Sequence, residues 1–159
     1  MGTLSKALAS EGGFIAGKRS LIDYLANTAR SFIFSTALSP AMIAVSLKAL
    51  EIVRTEPQRR ETLRANTAWF RAKLRAASFD VPENEAPIIS IILGQPDLAV
   101  TFSDKLMERN IFVSAIRPPT VPPGTSRLRI SMMATHTKDD LEQALNCIAE
   151  IGHKLGVIR

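Results

Sequence analysis

Short apolar runs flanked by glycine open the chain, helical spacing dominates its middle, and β-branched runs alternate with helical stripes towards its end. Residues 11–17, EGGFIAG, predict a strand leaving a turn. A helix is expected over 18–29 and another extended piece over 31–34. Ser39 and Pro40 read as an N-cap and a first-turn proline. They open a long helix with Met42, Val45, Ala49, Leu50 and Val53 on one stripe. After a break at 55–57, a second helix places Leu63, Phe70 and Leu74 on one side, and its arginines Arg59, Arg60, Arg64, Arg71 and Arg75 are expected to stay solvated.

The pattern changes after Val81 and Pro82. Residues 88–93 form a β-branched run, a helix is expected over 97–109, and a strand over 111–115. Four prolines between Arg117 and Gly124 require an extended loop. Beyond it, Leu128, Ile130 and Met132 alternate with Arg127, Arg129 and Ser131, as on a half-buried strand. Thr137 then caps a last helix with Leu141, Leu145, Ile148, Ile151 and Leu155 on its apolar face. The pieces predict an α/β chain whose first 55 residues belong with a larger sheet domain, while residues 56–159 form a compact α/β unit.

Composition narrows the function classes. The 159 residues are 46% apolar and 22% charged, enough to bury a core. Twenty Lys and Arg against 15 Asp and Glu give +5, without one long basic block, so no nucleic-acid partner is expected. The longest uncharged stretch, 31–47, carries Ser35, Thr36, Ser39 and Pro40 and is too short to span a bilayer, so no membrane association is expected. The start lacks a secretory pattern, and Cys147 stands alone on a helical apolar face as core filling. A reducing, cytoplasmic setting fits.

Several motifs fall away on chemical grounds. Gly12 to Lys18 matches the spacing of a phosphate loop, but Arg19 stands where a Ser or Thr hydroxyl would meet magnesium. His136 and His153 have no ligand-spaced partner, which excludes a recognisable metal site and leaves His136 as a structural polar residue. Lys6 is more promising, because a lysine amine can condense with an aldehyde cofactor when small neighbours let it approach. Gly2, Ser5, Ala7 and Ala9 give that access, and the Thr3 hydroxyl lies within the same turn.

Three ordered segments, MGTLSKALASEGGFIAG, RSFIFSTALSPA and AIRPPTVPPGTSRLRISMMATHT, resemble the cofactor-lysine segment, the next landmark and the carboxyl-terminal signature of the α-oxoamine synthases. The resemblance covers nearly the entire chain. It implies the pyridoxal-phosphate-dependent transferase fold type I, like aspartate aminotransferase, with residues 1–55 the end of the large domain and 56–159 the small carboxyl-terminal domain. The wordings IRPPTVP and FSTALSP look most like the members that condense L-alanine with a pimeloyl thioester. Glycine C-acetyltransferase or another α-oxoamine synthase is the alternative, and a non-catalytic scaffold or interaction domain derived from such an enzyme is an alternative of another class.

By position, the resemblance makes Lys6 the lysine that carries pyridoxal 5'-phosphate and then moves the α-proton of the amino acid. Thr3 would bind the cofactor, and Ser35 and Thr36 would reach its phosphate across a homodimer interface. Thr120 would contact substrate. Between Arg127 and Arg129 the strand pattern does not choose; the family pattern selects Arg129 as the receiver of the substrate carboxylate, a role suited to a planar guanidinium. The family's ring-nitrogen aspartate, stacking histidine and glycine-rich loop belong to a preceding amino-terminal half, so residues 1–159 alone are expected to be inactive.

Overall fold

A computed structural model describes residues 1–159, which divide into two compact units, Met1–Pro57 and Gln58–Arg159. In the first unit, β1 (Gly2–Thr3) pairs antiparallel with β2 (Gly13–Phe14). The helices α1 (Arg19–Thr28), α2 (Arg30–Ile33) and α3 (Pro40–Thr55) follow. The expected strand over 11–17 shrinks to the two residues of β2 that find a partner. Residues 31–34, expected to be extended, form most of a helical turn instead. The amides of Phe32 and Ile33 both bond to the Ala29 carbonyl, and a short apolar run does not separate the two states by periodicity. Ser39 caps α3 as expected, accepting from the Met42 amide with Pro40 in the first turn. Within this unit the α3 stripe residues Val45, Leu50 and Val53 are exposed, and the buried residue of that helix is Ser46.

The second unit holds α4 (Gln58–Ala76), β3 (Ile88–Gly94), α5 (Pro96–Met107), β4 (Ser114–Ile116), β5 (Ser126–Ser131) and α6 (Lys138–Lys154). Its sheet is antiparallel in the order β3-β5-β4, so the last strand lies in the middle. Alternation along β5 behaves as the pattern requires: Leu128 and Ile130 are buried, whereas Arg129 and Ser131 are exposed. The buried face meets Phe70 and Leu74 of α4, Phe102 and Leu106 of α5, and Leu141, Ile148 and Ile151 of α6. Cys147 packs at the edge of this cluster. No helix is long and apolar enough to cross a membrane.

The strand expected over 111–115 pairs only from Ser114 to Ile116, because the Ile111 amide turns back to the Leu106 carbonyl at the end of α5. Arg71, expected to be solvated, is buried, and its guanidinium donates to the Asn84 side chain and the Ala86 carbonyl. At the end of β3 the register with β5 shifts between Ile92 and Gly94, where φ of +78° favours glycine.

The last helix is fixed at both ends. The Thr137 hydroxyl accepts from the Asp140 amide while the Asp140 carboxylate accepts from Thr137, and these bonds hold that carboxyl below its usual range. Near the other end, Glu150 is held below its usual range by the Lys154 hydrogen bond and then by the charge of Arg109. Gly152 is buried there, and a Cβ on it would lie 2.6 Å from the buried ring of Phe79. Gly152→Ala should therefore destabilise the protein by about 1–3 kcal/mol, the overpacking outweighing the better helix propensity of alanine. Urea unfolding of the two proteins checks this, with a lower midpoint expected for the variant.

Candidate functional site

The segment carrying Lys6 is a loop between two paired strands. Because Gly2 faces Phe14 and Thr3 faces Gly13, residues 4–12 must double back, and three backbone bonds shape them. Leu4 donates to Gly12, Ser10 donates to Leu4, and Ala9 donates to Lys6. Gly12 at φ +91° and Ala9 at φ 49° take up the reversal. Lys6 is exposed at this turn and makes neither an ion pair nor a hydrogen bond through its side chain. The Thr3 hydroxyl bonds the Ser5 hydroxyl at 2.8 Å and receives the Ser5 amide at 3.3 Å.

A second tie holds this loop and escaped the sequence reading. The Ser10 hydroxyl lies 2.7 Å from that of Ser46 and donates to the Met42 carbonyl at 2.9 Å, joining the lysine loop to the middle of α3. Nothing in the spacing of Ser10 and Ser46, 36 residues apart, announces that contact. Ser46→Val would remove one of the two hydrogen bonds of the Ser10 hydroxyl and keep its donation to Met42, and should lower stability by about 0.5–1.5 kcal/mol. Thermal unfolding monitored by circular dichroism measures it.

Thr3 also lines a cavity of about 860 Å³ with Gly13, Phe14, Leu25, Ser31 and Phe32. Lys6, Ser35 and Thr36 lie outside that lining. Ser35 follows α2 and its hydroxyl donates to the Ser31 carbonyl, while Thr36 is exposed beside it.

Thr120 and Arg129 belong to the second unit. Thr120 is exposed on the proline loop, where its amide bonds the Arg117 carbonyl just after the cis Pro118–Pro119 bond. Arg127 and Arg129 behave differently. The Arg127 Nε donates to the Thr125 carbonyl at 2.9 Å, which ties that guanidinium to the loop. Arg129 is exposed and has no side-chain bond. It sits on the central strand, opposite Ser90 of β3 and Ser114 of β4, two small residues that leave its guanidinium room on the open face. Neither serine stood out in the sequence, because pairing register is needed to set them beside Arg129. Arg129 and Ser114 line a cavity of about 620 Å³ together with Met133 and His136, and Thr120 does not reach it. The His136 Nδ1 accepts from the Met133 amide, consistent with its structural role.

The first unit thus offers an unpaired amine on the same glycine-flanked loop as two hydroxyls, and the second an unpaired guanidinium on an open sheet face. Both donor sets suit pyridoxal phosphate chemistry: an amine for the aldehyde, hydroxyls for the phosphate, and a fork for a carboxylate.

Comparisons with known proteins agree in kind. The sequence model of the aminotransferase class I and II family matches residues 1–148. The 8-amino-7-oxononanoate synthase of Lysinibacillus sphaericus is 47% identical over 158 residues, covering 99% of this chain and 41% of the relative. Serine palmitoyltransferase from S. paucimobilis with a bound PLP–myriocin adduct superposes with a TM-score of 0.93 at 27% identity, over 99% of this chain and 40% of that one. The 8-amino-7-oxononanoate synthase of Francisella tularensis superposes with a TM-score of 0.82 at 31% identity, over 96% and 45%. The chain spans about two fifths of the length of the curated relatives it matches. With its mixed α/β units and these relatives, the chain belongs to the aminotransferase class I and II family and has the fold of pyridoxal-phosphate-dependent transferases.

Proposed function

We propose that this chain forms the carboxyl-terminal portion of an enzyme that condenses L-alanine with a pimeloyl thioester, releasing CO₂ and the carrier thiol to give 8-amino-7-oxononanoate for biotin synthesis. The observation that carries this reading is the 47% identity to the Lysinibacillus sphaericus synthase across nearly the whole chain, against 27% to serine palmitoyltransferase. We take residues 1–55 as the end of the large cofactor-binding domain and 56–159 as the small domain. The reaction is cytoplasmic and the enzyme a homodimer, with the amino-terminal half supplying the rest of the site.

In this reading pyridoxal 5'-phosphate, when bound, supplies an electron sink that makes the bonds to the amino acid's α-carbon breakable. Lys6 would hold the cofactor through its Nζ and would take the α-proton of the amino acid on the same atom. Its lack of a salt bridge supports both tasks, since no carboxylate competes for the amine. Thr3 meets the cofactor, and Ser35 and Thr36 meet its phosphate from the neighbouring subunit. Arg129 would receive the alanine carboxylate through two parallel hydrogen bonds and so orient the amino acid for reaction. Its freedom from other partners, against the tethered Arg127, favours that assignment. Thr120 contacts the substrate from the proline loop.

The test is substrate preference of the complete enzyme. Turnover of alanine with pimeloyl-CoA should exceed that of glycine with acetyl-CoA. The reverse preference would assign a glycine C-acetyltransferase, and no turnover of either pair with cofactor present would favour a scaffold.

A further inference from the structure

The positive excess of this protein collects on one helix. Along its 19 residues, α4 carries six basic side chains against the single acid Glu61. Arg60, Arg64, Thr67 and Arg71 follow one another at spacings of four, three and four, so they share a face. That face borders a cavity of about 670 Å³ closed on the other side by Asn84, Glu85 and Pro87.

Arg71 is unusual among these side chains. It is only 8% exposed, yet it makes no ion pair: its two hydrogen bonds go to a neutral amide oxygen and a backbone carbonyl, and its Nε has no partner at all. A buried guanidinium without a counter-charge is costly, and structures normally provide an anion for it. Glu85 is the acid on the lining, exposed and without an ion pair to any of the arginines. Even with Arg60 set aside, Arg64 and Arg71 against one carboxylate leave the lining positive. A positive lining with a buried guanidinium suits an anion, and the volume exceeds what one phosphate fills. Leu63, Ala68 and Pro87 supply apolar wall for an organic body.

We propose that this cavity, between α4 and residues 84–87, binds a phosphomonoester, with Arg71 beneath the phosphate and Arg64 at its rim. The site lies wholly within the second unit, and it is independent of the roles given to Lys6 and Arg129. Glu85 opposes the anion and keeps binding weak enough to be reversible.

Isothermal titration of the 159-residue chain in low-chloride buffer tests it, with inorganic phosphate and phenyl phosphate as separate probes. Both should bind, and phenyl phosphate tighter, because its ring uses the apolar wall. Equal affinity would point to free phosphate as the natural occupant. Arg64→Gln, at an exposed position that carries no structural bond, should weaken binding about tenfold, and Glu85→Gln should tighten it several-fold, about what one nearby charge contributes. Arg71→Gln should abolish binding, with circular dichroism checking that the variant folds. Absence of binding by either probe, or affinities unmoved by both Arg64→Gln and Glu85→Gln, would overturn the proposal.

Discussion

Replacing Lys6 with alanine in the complete enzyme should lower turnover by about 10²- to 10⁴-fold, the range over which a positioned proton-transfer group contributes. Stability should stay unchanged, because the Lys6 side chain makes no bond that folding would lose. That combination separates chemistry from architecture: a structural lysine would move the melting temperature, and this one should not. Lys6→Arg should fail as completely, since a guanidinium keeps its proton and cannot act as the amine. Steady-state kinetics on both variants, with thermal unfolding in parallel, gives the answer. A Lys6→Ala enzyme that retained most of its turnover would remove Lys6 from the mechanism.

The largest expected effect on stability comes from the core of the second unit. Phe102 on α5 is 0% exposed and its ring lies 6.4 Å from that of Phe79, tilted by 48°. It belongs to the buried cluster of the unit, on a helix that packs against all three strands and α6. Phe102→Ala should cost about 3–5 kcal/mol, combining lost apolar burial with a cavity that the close-packed surroundings cannot close. Against a total stability of roughly 5–15 kcal/mol for a typical protein, that is enough to leave this unit marginal. Urea denaturation followed by circular dichroism should show a much lower midpoint. A shift no larger than that of a surface substitution would mean that the core is looser than its burial implies.

The longer helices of both units were legible in the sequence because period and punctuation agree there. Thr137 caps α6 and Ser39 with Pro40 opens α3, each as side-chain chemistry dictates. The alternation of β5 likewise told which residues face the core. Local pattern gave less where pairing decides. Residues 31–34 have too few positions for a period to show, and β4 begins only where β5 offers a partner. Arg71 looked like its neighbours on α4, and only the return of residues 84–86 over it shows that it is buried. The same holds for the candidate site. Lys6 and Thr3 stood out through residue type and family resemblance, whereas Ser46, Ser90 and Ser114 acquire meaning through contacts distant in sequence.

Arg127 and Arg129 show how structure sharpens a choice that spacing leaves open. Both lie on one face of β5, two residues apart. One guanidinium is spent on the Thr125 carbonyl and the other is free on the open face. A carboxylate-binding fork must be free to bind, so the geometry and the family pattern favour the same residue.

The central claim is that the Lys6 amine carries the cofactor. Borohydride reduction of the complete enzyme in the presence of pyridoxal 5'-phosphate, followed by proteolysis and mass spectrometry, tests this most directly. The peptide containing Lys6 should carry a stable pyridoxyl adduct. Adduct confined to other lysines, with Lys6 unmodified, would contradict the account.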